Sequence, residues 1–195
     1  AFLAKQSALF VAVPVGLAVL AGSWRRGLAF MLGLAAIGGG ITFALDRATQ
    51  GWYRYYVFEL PSLHGIIPQL VRGFWIDDLV GPVGIALAIG AVHFALRSSR
   101  ATWRIMAIDG AALLGLIGTA YAVRIRIGSF DNVVIPAYVA ASLALGLGLN
   151  AFVEAAASVA PATRARVERL VATLGILQFA LLLYRPWTQL PTAAD

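Results

Sequence analysis

The residues of this chain best suited to chemistry are bases set among aromatic rings. The stretch from Asp46 to Asp78 reads DRATQGWYRYYVFELPSLHGIIPQLVRGFWIDD. Trp52, Tyr53, Tyr55, Tyr56 and Phe58 supply amphipathic rings, and Arg54, Glu59, His64 and Arg72 supply charge or a titratable group beside them. Such rings settle at a lipid headgroup interface. With the charges alongside, they could hold a lipid-linked anion or a sugar ring. An amphipathic loop that merely lies on the membrane has the same composition, so both readings stand. His64 taken alone is more simply a solvated or hydrogen-bonded group than a base or ligand.

Two further places carry suspicious charge. Lys5, followed by Gln6, sits in an apolar run, where a lysine is costly unless it snorkels to the interface or has a function. Arg124, Arg126, Asp131 and Asn132 cluster between two apolar runs, and the arginines there need a negative partner, either an acidic neighbour or a phosphate headgroup. Asp77 and Asp78 are adjacent, so on a helix they point apart and make no preformed metal cage. They read as the polar start of the following helix, favoured by its dipole. His93, Arg97, Asp109, Asn150 and Glu154 fall toward the other ends of their runs and read as a structural hydrogen-bond cluster between helices.

The elements that must position these groups are apolar runs. Hydrophobic residues make up 61% of the chain and charged ones 12%, about half the charged share of a soluble domain. Six runs are legible: 1–21, 28–45, 79–96, 105–123, 134–153 and 170–184. The predicted fold class is therefore all-α, a polytopic bundle of about six membrane helices forming one domain over 1–195, with 46–78 as an external interfacial loop. The connections at 23–27, 97–104 and 161–169 are rich in arginine and alternate with the others, which makes their side cytoplasmic. The segments 46–78, 124–133 and the C-terminus then face outward. The net charge of +6 is explained by these boundary arginines, so no nucleic-acid partner is required.

Several classes drop out. There is no cysteine, and thus neither disulfide nor thiolate metal site. No P-loop, Gly-x-Ser-x-Gly, His-Glu-x-x-His or strand-borne Gly-x-Gly-x-x-Gly occurs. No cofactor is identifiable. The chain opens at Ala1 inside an apolar run and stops at Asp195 in a polar segment, which reads as a fragment, with 185–195 beginning an external C-terminal part.

Three stretches resemble a known group. AFLAKQSALFVAVPVGLAVL resembles the lysine-containing middle helix of bacterial membrane glycosyltransferases of the GT-C type, relatives of the aminoarabinose lipid A transferase and the protein O-mannosyltransferases. GWYRYYVFELPSLHG is similar to the aromatic loop of members of that group, and RIGSFDNVVIPAYVAASLALGLG to their late Tyr/Asn-x-x-x-Pro helix. LYRPWTQLPTAAD resembles the exit from their last membrane helix. The resemblance implies transfer of a sugar from a polyprenyl-phosphate donor at the outer face of a bacterial inner membrane. It aligns Lys5 with the family's lysine and places Arg124, Arg126 and Asn132 at the family's outer motif, where better-known members carry lysine. These four become donor-phosphate candidates, and Trp52, Arg54, Tyr56, Glu59, His64 and Arg72 become a substrate-binding loop. The family's acidic catalytic residue lies in an earlier external loop that this chain lacks. The resemblance thus implies scaffold and donor-binding parts, with no metal site in this segment although the reaction class tolerates a divalent metal. Membrane lipids and the lipid-linked donor are the implied partners. The alternatives are a transporter or permease fragment, and a non-catalytic membrane subunit of a larger complex.

Overall fold

The computed structural model describes residues 8–97 and 103–183. Seven helices run through them: α1 (Leu9–Gly22), α2 (Trp24–Ala48), α3 (52–62), α4 (Pro68–Arg97), α5 (Trp103–Arg124), α6 (Asp131–Ala156) and α7 (Pro161–Leu181). No strand forms among the described residues, and the expected all-α bundle is what the chain builds. Four of these helices, α2, α4, α5 and α6, are long and apolar enough to cross a membrane, as a multi-pass membrane protein requires. Helix α1 is apolar but spans 14 residues.

Neighbouring contacts fix the directions. Gly22 meets Arg104 while Phe10 meets Gly115, so α1 runs against α5. His93 meets Asp109 and Asp78 meets Arg124, so α4 also runs against α5. Ile89 meets Gly148 and Arg97 meets Glu154, so α4 and α6 run together. The bundle therefore has a loop end, carrying α3 and the turn 125–130, and an arginine-rich end carrying Arg25, Arg26, Arg97 and Arg104.

Small residues bring the helices together. A Cβ at Gly115 would lie 2.6 Å from the Phe10 carbonyl oxygen, and one at Gly148 would run into the Ile89 carbonyl. Only glycine allows these backbones to touch, which is how helices pack where water supplies no hydrophobic drive. Around these seams lie Ala86, Ala137, Ala140, Ala141 and Ala144, all buried, together with Phe74, Leu79 and Val83. The face of α2 is mostly exposed, as lipid-facing apolar side chains are.

Two boundaries differ from the sequence reading. The 46–78 segment is not one interfacial loop: its last third, from Pro68, is the beginning of the 30-residue helix α4. Asp77 and Asp78 are accordingly not a helix start but lie inside α4, in a π-helical stretch, Phe74–Val80. Likewise Arg164, Arg166 and Arg169 do not form a connector. They occupy the first turns of α7, which begins with Pro161 at a position where its missing N–H costs nothing, and Arg164 pairs with Glu168 one turn on. Asp78 is satisfied by Arg124 from another helix and Arg164 by Glu168 within its own, so neither helix breaks there.

Helix α4 bends. Pro82 has no N–H to give, and Val83 leaves helical geometry at φ −128° and ψ 15°. The backbone groups freed there are not left bare. Gln178 of α7, buried, accepts a hydrogen bond from the Ala86 N–H at 2.8 Å and donates one to the Pro82 carbonyl at 2.6 Å. One side-chain amide thus bonds both the N–H and the carbonyl that an unbroken helix would pair with each other there.

Candidate anion site at the loop end

The site is built where two loops are tied together. Ile66 and Arg126 form an isolated antiparallel bridge. Across it the Ile67 N–H donates to Ile125 O at 2.8 Å, and the Ile127 N–H to Gly65 O at 2.9 Å. Gly128, at φ +81°, closes the following turn in the left-handed region, where glycine is at ease. The Ser129 hydroxyl donates to Arg124 O at 2.7 Å and secures the far side.

The two arginines of this junction have different surroundings. Arg124 is enclosed by carboxylates. Its Nε donates to Asp78 Oδ2 at 2.7 Å and its Nη2 to Asp78 Oδ1 at 3.2 Å, a two-pronged pair. Its Nη1 lies 3.2 Å from Asp131 Oδ1. The acidic neighbour expected for an arginine here is thus found, 46 residues away in sequence, in a residue assigned in the sequence reading to a helix start. Arg126 has no carboxylate in its ion-pair range among the described residues. Its Nη1 reaches only backbone, the carbonyls of Pro61 and His64, each at 3.3 Å.

Arg126 faces a cavity of about 530 Å³. Phe58, Pro61, Ser62 and His64 form one wall, and Ala122, Val123, residues 126–130 and Val133 form the other; Phe10 also lines it. Phe10 also lines a second, larger space of about 960 Å³ between α1, α4, α5 and α6. That groove is walled by Pro14, Leu17, Leu87, Ile117 and neighbouring apolar or small residues, with no charged side chain among them. A cavity with one cation at its end therefore adjoins an apolar groove.

The remaining candidates are distributed as follows. Arg54 is exposed and pairs with Glu59 at 3.0 Å, five residues on, in register across the π-helical turn Tyr55–Glu59. Trp52 stacks on Tyr56 with centroids 5.6 Å apart, and Tyr55 packs edge-on against both, giving an exposed aromatic face on α3. Arg72 is exposed on α4, and Asn132 is exposed on the first turn of α6; neither lines the cavity. Lys5 lies outside the described residues. Of the described donor-phosphate candidates, the structure brings Arg126 alone to the cavity; of the loop candidates, it brings His64. Among the described residues the candidate bases do not converge on one point.

At the arginine-rich end the expected polar cluster exists as two contacts. His93 Nε2 lies 3.2 Å from Asp109 Oδ2. Arg97 donates to both oxygens of Glu154 at 2.7 Å, and Asn150 donates to the same carboxylate at 2.8 Å. Among the described residues no group of three metal-ligand side chains occurs.

Comparison with known proteins finds no matching family model, curated protein or solved structure.

Proposed function

We propose that the chain is part of an integral-membrane glycosyltransferase that takes a polyprenyl-phosphate-linked sugar donor at the outer face of a bacterial inner membrane. The loop end and the C-terminus then face outward, following the side bias of the arginines. One observation carries the reading: Phe10 lines both the cavity that holds Arg126 and the apolar groove beside it. An amphiphile with an anionic head and a long apolar tail fits that pairing of surroundings. A guanidinium supplies two-pronged donors to phosphate oxygens, and its charge favours departure of a lipid phosphate as negative charge grows on it. The exposed Trp52–Tyr56 stack offers a face for a sugar ring. Activation of the acceptor is not assigned to a residue of this chain.

The test is binding in nanodiscs of neutral lipid. A polyprenyl phosphate is compared with the corresponding polyprenol, on the wild-type chain and on Arg126→Ala. Loss of charged hydrogen bonds amounts to about 1.5–3 kcal/mol, so the variant binds the phosphate about ten- to a hundredfold more weakly. Its affinity for the alcohol is unchanged. Equal affinity of the wild type for phosphate and alcohol would sink the reading.

A second reading, a permease fragment, has one observation in its favour. The break at Pro82–Val83 with a buried polar side chain inside it is the kind of discontinuous helix transporters use. Flux of a solute across proteoliposomes, with no dependence on Arg126, would select it.

A further inference from the structure

Helix α4 consists of two rods joined at an elbow, each rod fixed by its own contacts. The rod toward the arginine-rich end, 83–97, is held by Ile89 against Gly148, by His93 on Asp109 and by Arg97 on Glu154. The rod toward the loop end, 68–82, is held by Asp78 on Arg124 and by Phe74 and Trp75 against Tyr121. That second rod is preceded directly, through the extended residue Ile67, by the segment in which Pro61, Ser62 and His64 line the cavity and Pro61 and His64 supply the two carbonyls bonded to Arg126. Between the rods the hydrogen-bond ladder is closed by one side chain from another helix. Gln178 is 2% exposed and satisfies both the Ala86 N–H and the Pro82 carbonyl.

An uncapped donor and acceptor in apolar surroundings are expensive, so an elbow without its amide would bend until they found other partners. We infer that Gln178 is a positioning residue: by pinning the elbow from α7, it sets the tilt of the 68–82 rod and so the placement of the Pro61–His64 wall around Arg126. The consequence for binding rests on the reading of that cavity as the anion site; the consequence for tilt does not. Helix α7 begins at the arginine-rich end with Arg164, Arg166 and Arg169, so whatever shifts α7 there is transmitted along one rigid helix to the elbow. The opposite end of the molecule thereby gains a lever on the cavity.

The absence of cysteine makes the test direct. Spin labels are placed on exposed positions, Val71 with Leu114 for the loop-end rod and Leu96 with Leu114 for the other. In Gln178→Leu the 71–114 distance distribution shifts or broadens, the 96–114 distribution stays as in the wild type, and polyprenyl phosphate binds severalfold more weakly. Gln178→Glu tests the hydrogen bonds themselves and serves alone should the leucine variant not fold. At acid pH its protonated carboxyl accepts and donates as the amide does, and distances match the wild type at that pH. At alkaline pH the donor to the Pro82 carbonyl is gone while the acceptor for the Ala86 N–H remains, and the 71–114 distances depart from the wild type at that pH. Unchanged 71–114 distances, equal changes in both pairs, a pH-independent glutamate variant, or altered tilt with unaltered affinity would each overturn the inference. No binding of the phosphate by the wild type would overturn the functional reading alone and leave the tilt result to stand.

Discussion

Both ends of the bundle place arginines beside carboxylates, but at the loop end, among the described residues, one arginine without a carboxylate partner lines a cavity. At the arginine-rich end Arg97 is closed off by Glu154, which Asn150 also holds, and His93 lies on Asp109. At the loop end Arg124 is closed off by Asp78 and Asp131, while Arg126, two residues further on, bonds only backbone carbonyls at 3.3 Å. A guanidinium held by carboxylates inside the fold stabilises the packing of helices and has little left to offer a ligand. One held by carbonyls keeps its full charge, because a carbonyl accepts a hydrogen bond without neutralising the donor. The difference separates arginines that build the bundle from the one best placed to serve it.

Substitutions sharpen that contrast when stability and binding are read together. The largest expected stability effect is at Asp78→Ala, which strips the two-pronged partner from Arg124. Its side chain is 15% exposed, so the loss is about 2–4 kcal/mol in reversible unfolding. Adding Arg124→Met to it restores part of this, since no unpaired charge then remains. Asp109→Ala comes next, at about 1–2 kcal/mol, because buried His93 loses its only described partner at Nε2. Smallest is Arg126→Ala, below about 1 kcal/mol, since only two long hydrogen bonds to backbone are given up. That same variant carries the largest loss of phosphate binding. An Arg126→Ala as destabilising as Asp78→Ala would erase the contrast and make Arg126 one more structural pair.

The helical bundle was legible because apolar runs longer than about 17 residues admit few other folds. Ala111, Gly115 and Thr119 stand at four-residue spacing, as small residues on a close-packed helix face do, and Gly115 meets α1. What escaped was the effect of partners distant in sequence. Asp77 and Asp78 looked like a boundary because nothing local satisfies them; Arg124 does so for Asp78 from another helix, and α4 runs on through. Arg164, Arg166 and Arg169 looked like a connector, although a helix tolerates them on its exposed first turns. The available signal for Gln178 was a solitary amide in the apolar stretch LVATLGILQFALLLY, set against Pro82 in another run that needed its backbone completed. Arg126 was picked out by charge, but its difference from Arg124 depends on which loops lie beside each. Periodicity and charge do not record that.

The bridge between Ile66 and Arg126 has a genetic consequence. Exposed turns normally accept insertions and deletions freely. Here the backbone at Ile66 and Arg126 is paired through two hydrogen bonds, and a one-residue slip of such a pairing reverses the face each side chain takes. Removing or adding a single residue between Arg126 and the start of α6 would leave the composition intact and the turn on the surface. It would also invite the pairing to slip by one and turn the guanidinium away from the cavity. Among variants of this protein, the length of 127–130 is thus expected to be more constant than the residues that fill it, with the glycine at 128 the exception.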